Sequence, residues 1–254
     1  MMEKLLDLPV VVSQHGPDMD RMMVLVHWLM GLLAVGWTLF FFYVLWRFRA
    51  TRNRRADHAG VKGHASTWLE VGVVSFEAVL LVGFAIPLWG KAVDDFPPAE
   101  ESTVVRVVAE QFGWWFIYPG PDGKFGRQDL TLVSNANPFG FDPEDQATRD
   151  NIQVLNEMRV PVNKPVILNC SSKDVIHTFK VLPMRVNQQC IPGLNIPIHF
   201  VPVKEGRYQV ICAQLCGNGH AKMAQGVLTV LPEDEYDAWI DSQVAGDGVA
   251  TSFE

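Results

Sequence analysis

The pattern of apolar and polar positions divides the chain into two unlike parts, and two long apolar segments dominate the first. Residues 22–46 contain no Asp, Glu, Lys or Arg, and residues 67–89 contain only Glu70 and Glu77. At about 1.5 Å per residue, each segment is long enough to cross a hydrocarbon layer of about 30 Å. We therefore predict a two-helix transmembrane hairpin over residues 22–91. A cleaved signal peptide is the alternative for the first segment, but its apolar run is too long and lacks a small-residue cleavage site.

The loop between the two segments, residues 47–66, is strongly basic. It has five Arg and one Lys against a single acid, Asp57. Basic loops of membrane proteins stay in the cytoplasm. Residues 1–21 and the chain beyond the second segment are therefore predicted to lie outside the bacterial cytoplasmic (inner) membrane. Because the basic loop lies between two spans, we interpret it as a topology signal and expect no nucleic-acid partner.

The second part of the chain has the pattern of a β domain. After a linker at residues 92–102, short runs of β-branched and aromatic residues alternate with Gly, Pro, Asn and Asp. This pattern is typical of a β-sandwich or barrel, predicted here over residues 103–232. A turn-rich excursion is expected at residues 120–159, and a C-terminal helix and tail at 233–254. The predicted strands cover residues 103–109, 114–118, 165–170, 177–181, 196–201, 208–211 and 226–230.

The candidate chemistry is concentrated in residues 212–223, CAQLCGNGHAKM. Two thiols, an imidazole and a thioether are soft ligands, which suit copper better than magnesium or calcium. A second Cys allows two bridging thiolates and hence two metal ions. The alternatives are a disulfide between Cys212 and Cys216, structural zinc, or unrelated core residues, although a thioether is a poor zinc ligand. The segment has no C-x-x-C-H sequence, so we expect no covalent haem c.

His177, in the sequence SKDVIHTF, is the best candidate for a further ligand. It lies well upstream of the Cys-rich segment and three residues after Asp174. A lone His in a strand is usually an ordinary residue. Together with the clustered Cys, His and Met, however, it favours a soft-metal site built from an early His and a late loop.

These motifs resemble subunit II of the haem-copper cytochrome c oxidase family over nearly the whole chain. The matching features are the two apolar segments, residues 111–119 (QFGWWFIYP), residues 174–177 (DVIH), residues 191–193 (IPG) and the Cys-rich segment. Nitrous oxide reductase carries a similar copper segment. The resemblance implies a cupredoxin-like domain after the membrane hairpin. It also implies a binuclear copper centre (CuA) whose ligands are His177, Cys212, the carbonyl of Gln214, Cys216, His220 and Met223.

In that family, subunit II accepts electrons from a cytochrome c-type donor and passes them to the haem-bearing subunit I, which reduces oxygen to water. The resemblance implies this role, alongside subunit I and other membrane subunits. One alternative is the copper subunit of a nitric oxide reductase-type enzyme. Another is a copper-delivery protein, which would have exposed, labile ligands. Nitrous oxide reductase itself would need a large His-rich domain, and only seven His are present.

Several residues depart from the family pattern. Gln214 stands where many members have a Glu that binds magnesium, and a neutral amide is a weak ligand for a hard dication, so magnesium is disfavoured. Phe112 stands where the family's electron-accepting Trp is usual, and Trp114 and Trp115 follow. We expect one of these three rings at the donor-facing surface. The departure favours a membrane-bound or complex-associated cytochrome as the donor.

Four further residues have open interpretations. Glu70 matches the position of a family Glu that begins a proton-uptake route, and an interfacial acid that snorkels to water is the alternative. Glu77 lies deeper and is expected to face subunit I. Cys170 and Cys190 either form a disulfide, which an extracytoplasmic location permits, or remain buried thiols.

Overall fold

The structure is a computed structural model that describes residues 5–55, 58, 60, 62–134 and 136–245. The first four residues, Asp57 in the basic loop and the predicted tail at 246–254 lie outside this range. The described residues form two compact units. One consists of residues 5–8 and 18–91, and the other of residues 9–17 and 92–245.

The first unit is a pair of long helices. Helix α1 spans Gly16–Arg47, and α2 spans Ala65–Leu80. The second helix continues through a π-helical turn, Leu81–Ala85, into α3, Ile86–Val93. The π-helical turn precedes Pro87. Proline has no backbone N–H, so it cannot donate the hydrogen bond of a regular helix.

Both helices are long and apolar enough to cross a membrane. Their apolar side chains point outward, as at Leu32 and Val82, which are 72% and 63% exposed. An apolar surface of this extent is expected to be covered by lipid or by partner helices. The two predicted spans are therefore present as helices. Each helix extends beyond its apolar segment into polar residues at its ends.

The second unit contains two five-stranded sheets. The strands are β1 Thr103–Glu110, β2 Gly113–Tyr118, β3 Ile152–Leu155, β4 Glu157–Pro161, β5 Val166–Ser172, β6 His177–Val181, β7 Val186–Cys190, β8 Ile196–Phe200, β9 Gly206–Cys212 and β10 Gly226–Leu231. The first sheet has the order β3-β2-β1-β5-β8, and the second β4-β10-β9-β6-β7. Strand β1 pairs antiparallel with β2 and parallel with β5, and β9 pairs antiparallel with both β6 and β10.

One hydrophobic core lies between the two sheets. Alternate side chains of β1 are buried, as expected for a strand with one face toward a core. Val107 and Phe116 from the first sheet share this core with Phe179 and Val210 from the second. The domain is therefore a sandwich, as the alternating pattern predicted. The C-terminal helix α4, Glu233–Ala245, adds Tyr236 and Trp239 to the core.

The structure corrects the prediction for residues 120–159 and adds a strand beyond it. The seven predicted strands agree with the structure to within two residues at each end, but β3, β4 and β7 were not predicted. Strands β3 and β4 occupy the end of the expected excursion, pairing with β2 and β10. Each is only four or five residues long, so its local pattern is weak and long-range pairing decides its conformation. Asn156 separates β3 from β4 with a φ of 59°, and its side-chain oxygen accepts a hydrogen bond from the Trp114 N–H.

The remaining excursion packs on the outer face of the first sheet. Phe139 and Phe141 form a small second core there with Ile117 of β2. An ion pair between Arg127 and Asp142 ties two parts of the excursion together. The excursion is therefore turn-rich, as predicted, but it is packed onto the sheet.

Tyr118 generates a prediction about the stability of the sandwich. Its fully buried hydroxyl donates to the carbonyl of Arg159 at 2.9 Å and accepts from the N–H of the same residue at 2.8 Å. Tyr118→Phe leaves these backbone groups unpaired and should lower the free energy of unfolding by about 1–3 kcal/mol. Urea denaturation of the β domain measures this change. The matched control is Tyr208→Phe, whose hydroxyl bonds exposed carbonyls. Equal losses in the two variants would contradict the prediction.

Candidate metal centre

Two neighbouring strands bring the first ligands together at one end of the sandwich. His177 is the first residue of β6, and Cys212 is the last residue of β9. The two strands are antiparallel, with Phe179 opposite Cys212. The Nδ1 atom of His177 therefore lies 3.9 Å from the Sγ atom of Cys212. His177 is fully buried, so its ring is held by the sandwich itself.

The segment after β9 folds back over this strand end. It places the donor atoms of His177, Cys212 and Cys216 within 4.8 Å of one another, the one such group of His, Cys, Asp or Glu found among the described residues. His220 begins a 3₁₀ turn, His220–Gln225, and its Nδ1 atom lies 3.3 Å from the Sγ atom of Cys216. The two thiols thus each have an imidazole beside them.

Gln214 and Met223, the two remaining predicted ligands, lie in the same segment. The carbonyl oxygen of Gln214 is 3.0 Å from the Sγ atom of Cys212. Met223 follows three residues after His220 and is fully buried. Its backbone carbonyl accepts a hydrogen bond of 2.9 Å from the indole of Trp114, which fixes this end of the turn.

A layer of hydrogen bonds orients the candidate ligands from outside. One carboxylate oxygen of Asp174 lies 2.9 Å from the Nε2 atom of His177, and the other accepts from the backbone N–H of Gln111 at 2.7 Å. The side-chain amide of Gln111 donates to the carbonyl of Cys216 at 2.6 Å. Gln111 therefore connects the His177 side of the group to the Cys216 side. The sequence alone does not indicate this role, although Gln111 begins the aromatic segment of residues 111–119.

The electrostatics of the two thiols differ. Burial works against ionisation of Cys212, but hydrogen bonds from His177 and from its backbone surroundings hold the pKa of the thiol below its usual value. Burial and the neighbouring Cys212 raise the pKa of Cys216 to about 11. Burial opposes the protonated form of His177, yet Cys212 and Asp174 together raise its pKa. His177 therefore makes Cys212 easier to ionise than Cys216.

The three predicted electron-accepting rings occupy different surroundings. Phe112 is partly buried against the Cys-rich segment, residues 212–223, where a Cβ atom at Gly217 or Gly219 would meet its ring. Trp114 is fully buried, with its ring centre 6.3 Å from that of His177. Trp115 lies on the outer face of β2, where its indole donates to Glu110 at 2.7 Å. Of the three rings, Phe112 thus lies against the Cys-rich segment at the domain surface, and Trp114 lies in the core behind that segment.

The two predicted membrane acids, Glu70 and Glu77, lie on α2 in the helical unit, and both are exposed on its surface.

Apolar side chains are exposed in the segments next to the candidate ligands. Leu215, between the two Cys, is 79% exposed, and Ile176, directly before His177, is 43% exposed.

Fold and site together define a cupredoxin-like domain that follows a pair of apolar helices and carries a buried Cys and His group at one end. The family model of the cytochrome c oxidase subunit II periplasmic domain matches residues 103–230. The chain therefore belongs to the cytochrome c oxidase subunit II family, as the resemblance predicted. Proteins of this family are subunits of an oxidoreductase complex, the haem-copper oxidase, whose catalytic role lies in partner subunits.

Individual relatives show the same likeness. The chain is 30% identical over 234 residues to the alternative cytochrome c oxidase subunit 2 of Bradyrhizobium diazoefficiens, covering 91% of this chain and 82% of that one. It is 27% identical over 252 residues to cytochrome c oxidase subunit 2 of Cereibacter sphaeroides, covering 91% and 80%. The solved periplasmic domain of subunit II of cytochrome oxidase (CoxB) of Bradyrhizobium japonicum has a TM-score of 0.44 and 26% identity, covering 60% of this chain and 99% of that one.

The unequal thiols generate a prediction about the metal-free protein. At about pH 8, Cys212 should react with iodoacetamide before Cys216, because only the thiolate is the nucleophile. The two residues are similarly exposed, at 7% and 5%, so exposure alone would not separate them. Peptide mass spectrometry at successive times measures the order.

Two variants test the cause of that order. His177→Asn removes the imidazole beside Cys212 and should slow alkylation of Cys212. His220→Asn acts beside Cys216 and should leave Cys212 the faster of the two. Equal rates at both thiols in the unmodified chain would show that His177 does not stabilise the Cys212 thiolate.

Proposed function

We propose that this chain accepts electrons from a cytochrome c-type donor at a binuclear copper centre and passes them to the haem-bearing subunit of its oxidase. The observation that carries the proposal is the buried group of His177, Cys212 and Cys216 within 4.8 Å. The proposed ligands are these three residues together with the carbonyl of Gln214, His220 and Met223.

The donor set fits two soft metal ions better than one. Two thiols lie at the centre, with His177 next to Cys212 and His220 next to Cys216. Each thiol therefore has its own imidazole, an arrangement that would suit two metal ions. Thiolate, imidazole and thioether ligands favour copper. When bound, copper would supply a one-electron couple at this pair of thiols.

The surrounding residues suit electron transfer because they hold the ligands still. Asp174 orients His177, Gln111 holds the Cys216 carbonyl, and Trp114 holds the Met223 carbonyl. Ligands fixed in this way change little between redox states, so little energy is spent on reorganisation. His177 and Met223 are fully buried, and the two Cys are nearly so, which fits a centre that does not bind a substrate. Oxygen reduction is accordingly assigned to the partner subunit.

We assign the haem-bearing subunit and the electron donor to different parts of the copper end, the end of the sandwich that carries the proposed copper ligands. The exposed side chains of Ile176, Leu194 and Leu215 offer an apolar surface for the haem-bearing subunit. Phe112, beside Gly217 and Gly219, offers a ring on the donor side. Phe112 stands where the family's electron-accepting Trp is usual, and this change fits a membrane-bound or complex-associated cytochrome better than a freely diffusing basic one. Gln214 offers no carboxylate, so we propose no magnesium there.

The membrane arrangement follows from the helical unit. We propose that the two helices span the bacterial cytoplasmic membrane, with the basic loop inside and the β domain on the periplasmic side. Electrons would then reach the copper end from the periplasm.

The electron paramagnetic resonance spectrum of the copper-loaded protein tests the proposal. A seven-line, mixed-valence signal is expected, because one unpaired electron would be shared by two copper nuclei. A four-line signal would reduce the site to mononuclear copper and contradict the proposal. Co-purification with a haem-containing membrane subunit then separates the oxidase function from copper delivery.

A further prediction concerns Glu70, which we propose as the start of a proton-uptake route. Glu70→Ala should slow oxygen turnover at least severalfold while leaving the copper signal unchanged, because the residue lies in the helical unit. Turnover of the purified oxidase measures the effect, and Glu70→Asp, which keeps a carboxylate, is the matched control. Unchanged turnover and proton pumping in Glu70→Ala would contradict this role.

A further inference from the structure

Two cysteines outside the proposed copper site are not used by the electron-transfer function. Cys170 lies on β5, and Cys190 is the last residue of β7. Both are thiols, both are fully buried, and both belong to the main hydrophobic core. They come from opposite sheets of the sandwich.

The backbone draws these two residues together at one edge of the sandwich. A parallel bridge joins Ser172 to Pro192, which lie two residues beyond Cys170 and Cys190 respectively. The two cysteines therefore stand level with each other on the strands that this bridge connects. The thiols also interact directly, because a hydrogen bond with Cys190, together with burial, raises the pKa of Cys170.

The pair lies directly behind the proposed copper site. Cys190 is opposite His177 in the antiparallel register of β6 and β7. Cys170 is held between Val107 of β1 and Ile196 of β8 in the first sheet. A covalent link between the two sulfurs would therefore join the sheet that carries His177 to the opposite sheet.

We propose that Cys170 and Cys190 form an inter-sheet disulfide in the mature protein, while Cys212 and Cys216 remain thiolates for the metal. The inference rests on the proposed periplasmic location, since disulfides persist in oxidising compartments. The Ser172–Pro192 bridge brings the strands of the two cysteines side by side, as a disulfide between them requires.

The oxidant for this disulfide would be a periplasmic thiol oxidoreductase in its disulfide form. One thiolate of the pair attacks the disulfide of the oxidoreductase and forms a mixed disulfide. The second thiolate displaces the oxidoreductase, forming the S–S bond between Cys170 and Cys190. The two thiols lose two protons and two electrons, and the oxidoreductase is reduced to a dithiol. Because both residues are fully buried in the folded domain, the exchange takes place before the sandwich closes.

The proposed link has two consequences for the copper site. It closes the segment 170–190, which contains Asp174 and His177, and so restrains this part of the unfolded chain. It also prevents Cys170 and Cys190 from competing with Cys212 and Cys216 for the metal. The pairing leaves Cys212 and Cys216 as the free thiols available to bind metal.

Disulfide mapping of the intact oxidase tests the proposal. The purified complex is denatured in acid, its free thiols are alkylated without reductant, and the subunit is digested with trypsin. Cleavage places Cys170 in residues 160–173, Cys190 in residues 186–204, and both copper thiols in residues 208–222. We expect the first two peptides to be joined by a disulfide and the third to carry two alkylated thiols. In Cys170→Ala, Cys190 should become alkylated.

Other outcomes would overturn the proposal. Alkylation of both Cys170 and Cys190 in the unmodified chain would show a reduced pair, and a link from either residue to 208–222 would show a different pairing. The mapping uses the unmodified chain, so it decides the question even if Cys170→Ala does not fold. The copper signal of the same preparation separates the two ideas. A normal mixed-valence spectrum with no disulfide would reject this inference alone.

Discussion

The hydrogen bond between His177 and Asp174 is the constraint on which the candidate metal centre depends. The imidazole is fully buried at the start of β6, and the carboxylate holds its Nε2 atom so that Nδ1 faces the Cys212 sulfur. The same carboxylate receives the backbone N–H of Gln111, whose side chain in turn holds the carbonyl of Cys216. Removing the carboxylate would release both sides of the site, because partners of this kind fix the orientation of metal ligands.

This arrangement places ionisable groups in a largely buried site. Two thiols and an imidazole are largely withdrawn from water, and burial raises the pKa of Cys216 to about 11. The sandwich compensates by hydrogen bonding and by packing, with Trp114 placed between the core and the site. A bound pair of metal ions would hold both sulfurs as thiolates and offset the cost of charging them in a buried site.

The sequence allowed much of the fold and the site to be predicted, for reasons that differ from part to part. Cys212, Cys216, His220 and Met223 are close in sequence, so their spacing alone indicates a soft-metal site. The apolar segments and the alternating strands are also local patterns. Strands β3 and β4 could not be recognised because their partners, β2 and β10, lie far along the chain. Strand β7 pairs with the neighbouring β6, but its sequence, VNQQC, is mostly polar.

Gln111 shows the same limit at the level of a single residue. It contacts Asp174 and Cys216 across separations of 63 and 105 residues. Nothing in the local sequence distinguishes this Gln from an ordinary turn residue between β1 and β2. The contact between Cys170 and Cys190 likewise arises only when the two sheets pack together.

The order of electron transfer in the whole oxidase tests the central claim most directly. Reduced cytochrome c is mixed rapidly with the oxidised enzyme while the copper and haem absorption bands are followed. If electrons enter through this site, the copper band bleaches before the haems are reduced. Cys216→Ser should then abolish haem reduction by cytochrome c but not by a small-molecule reductant. Haem reduction by cytochrome c at an unchanged rate in that variant would contradict the claim that electrons enter through this site.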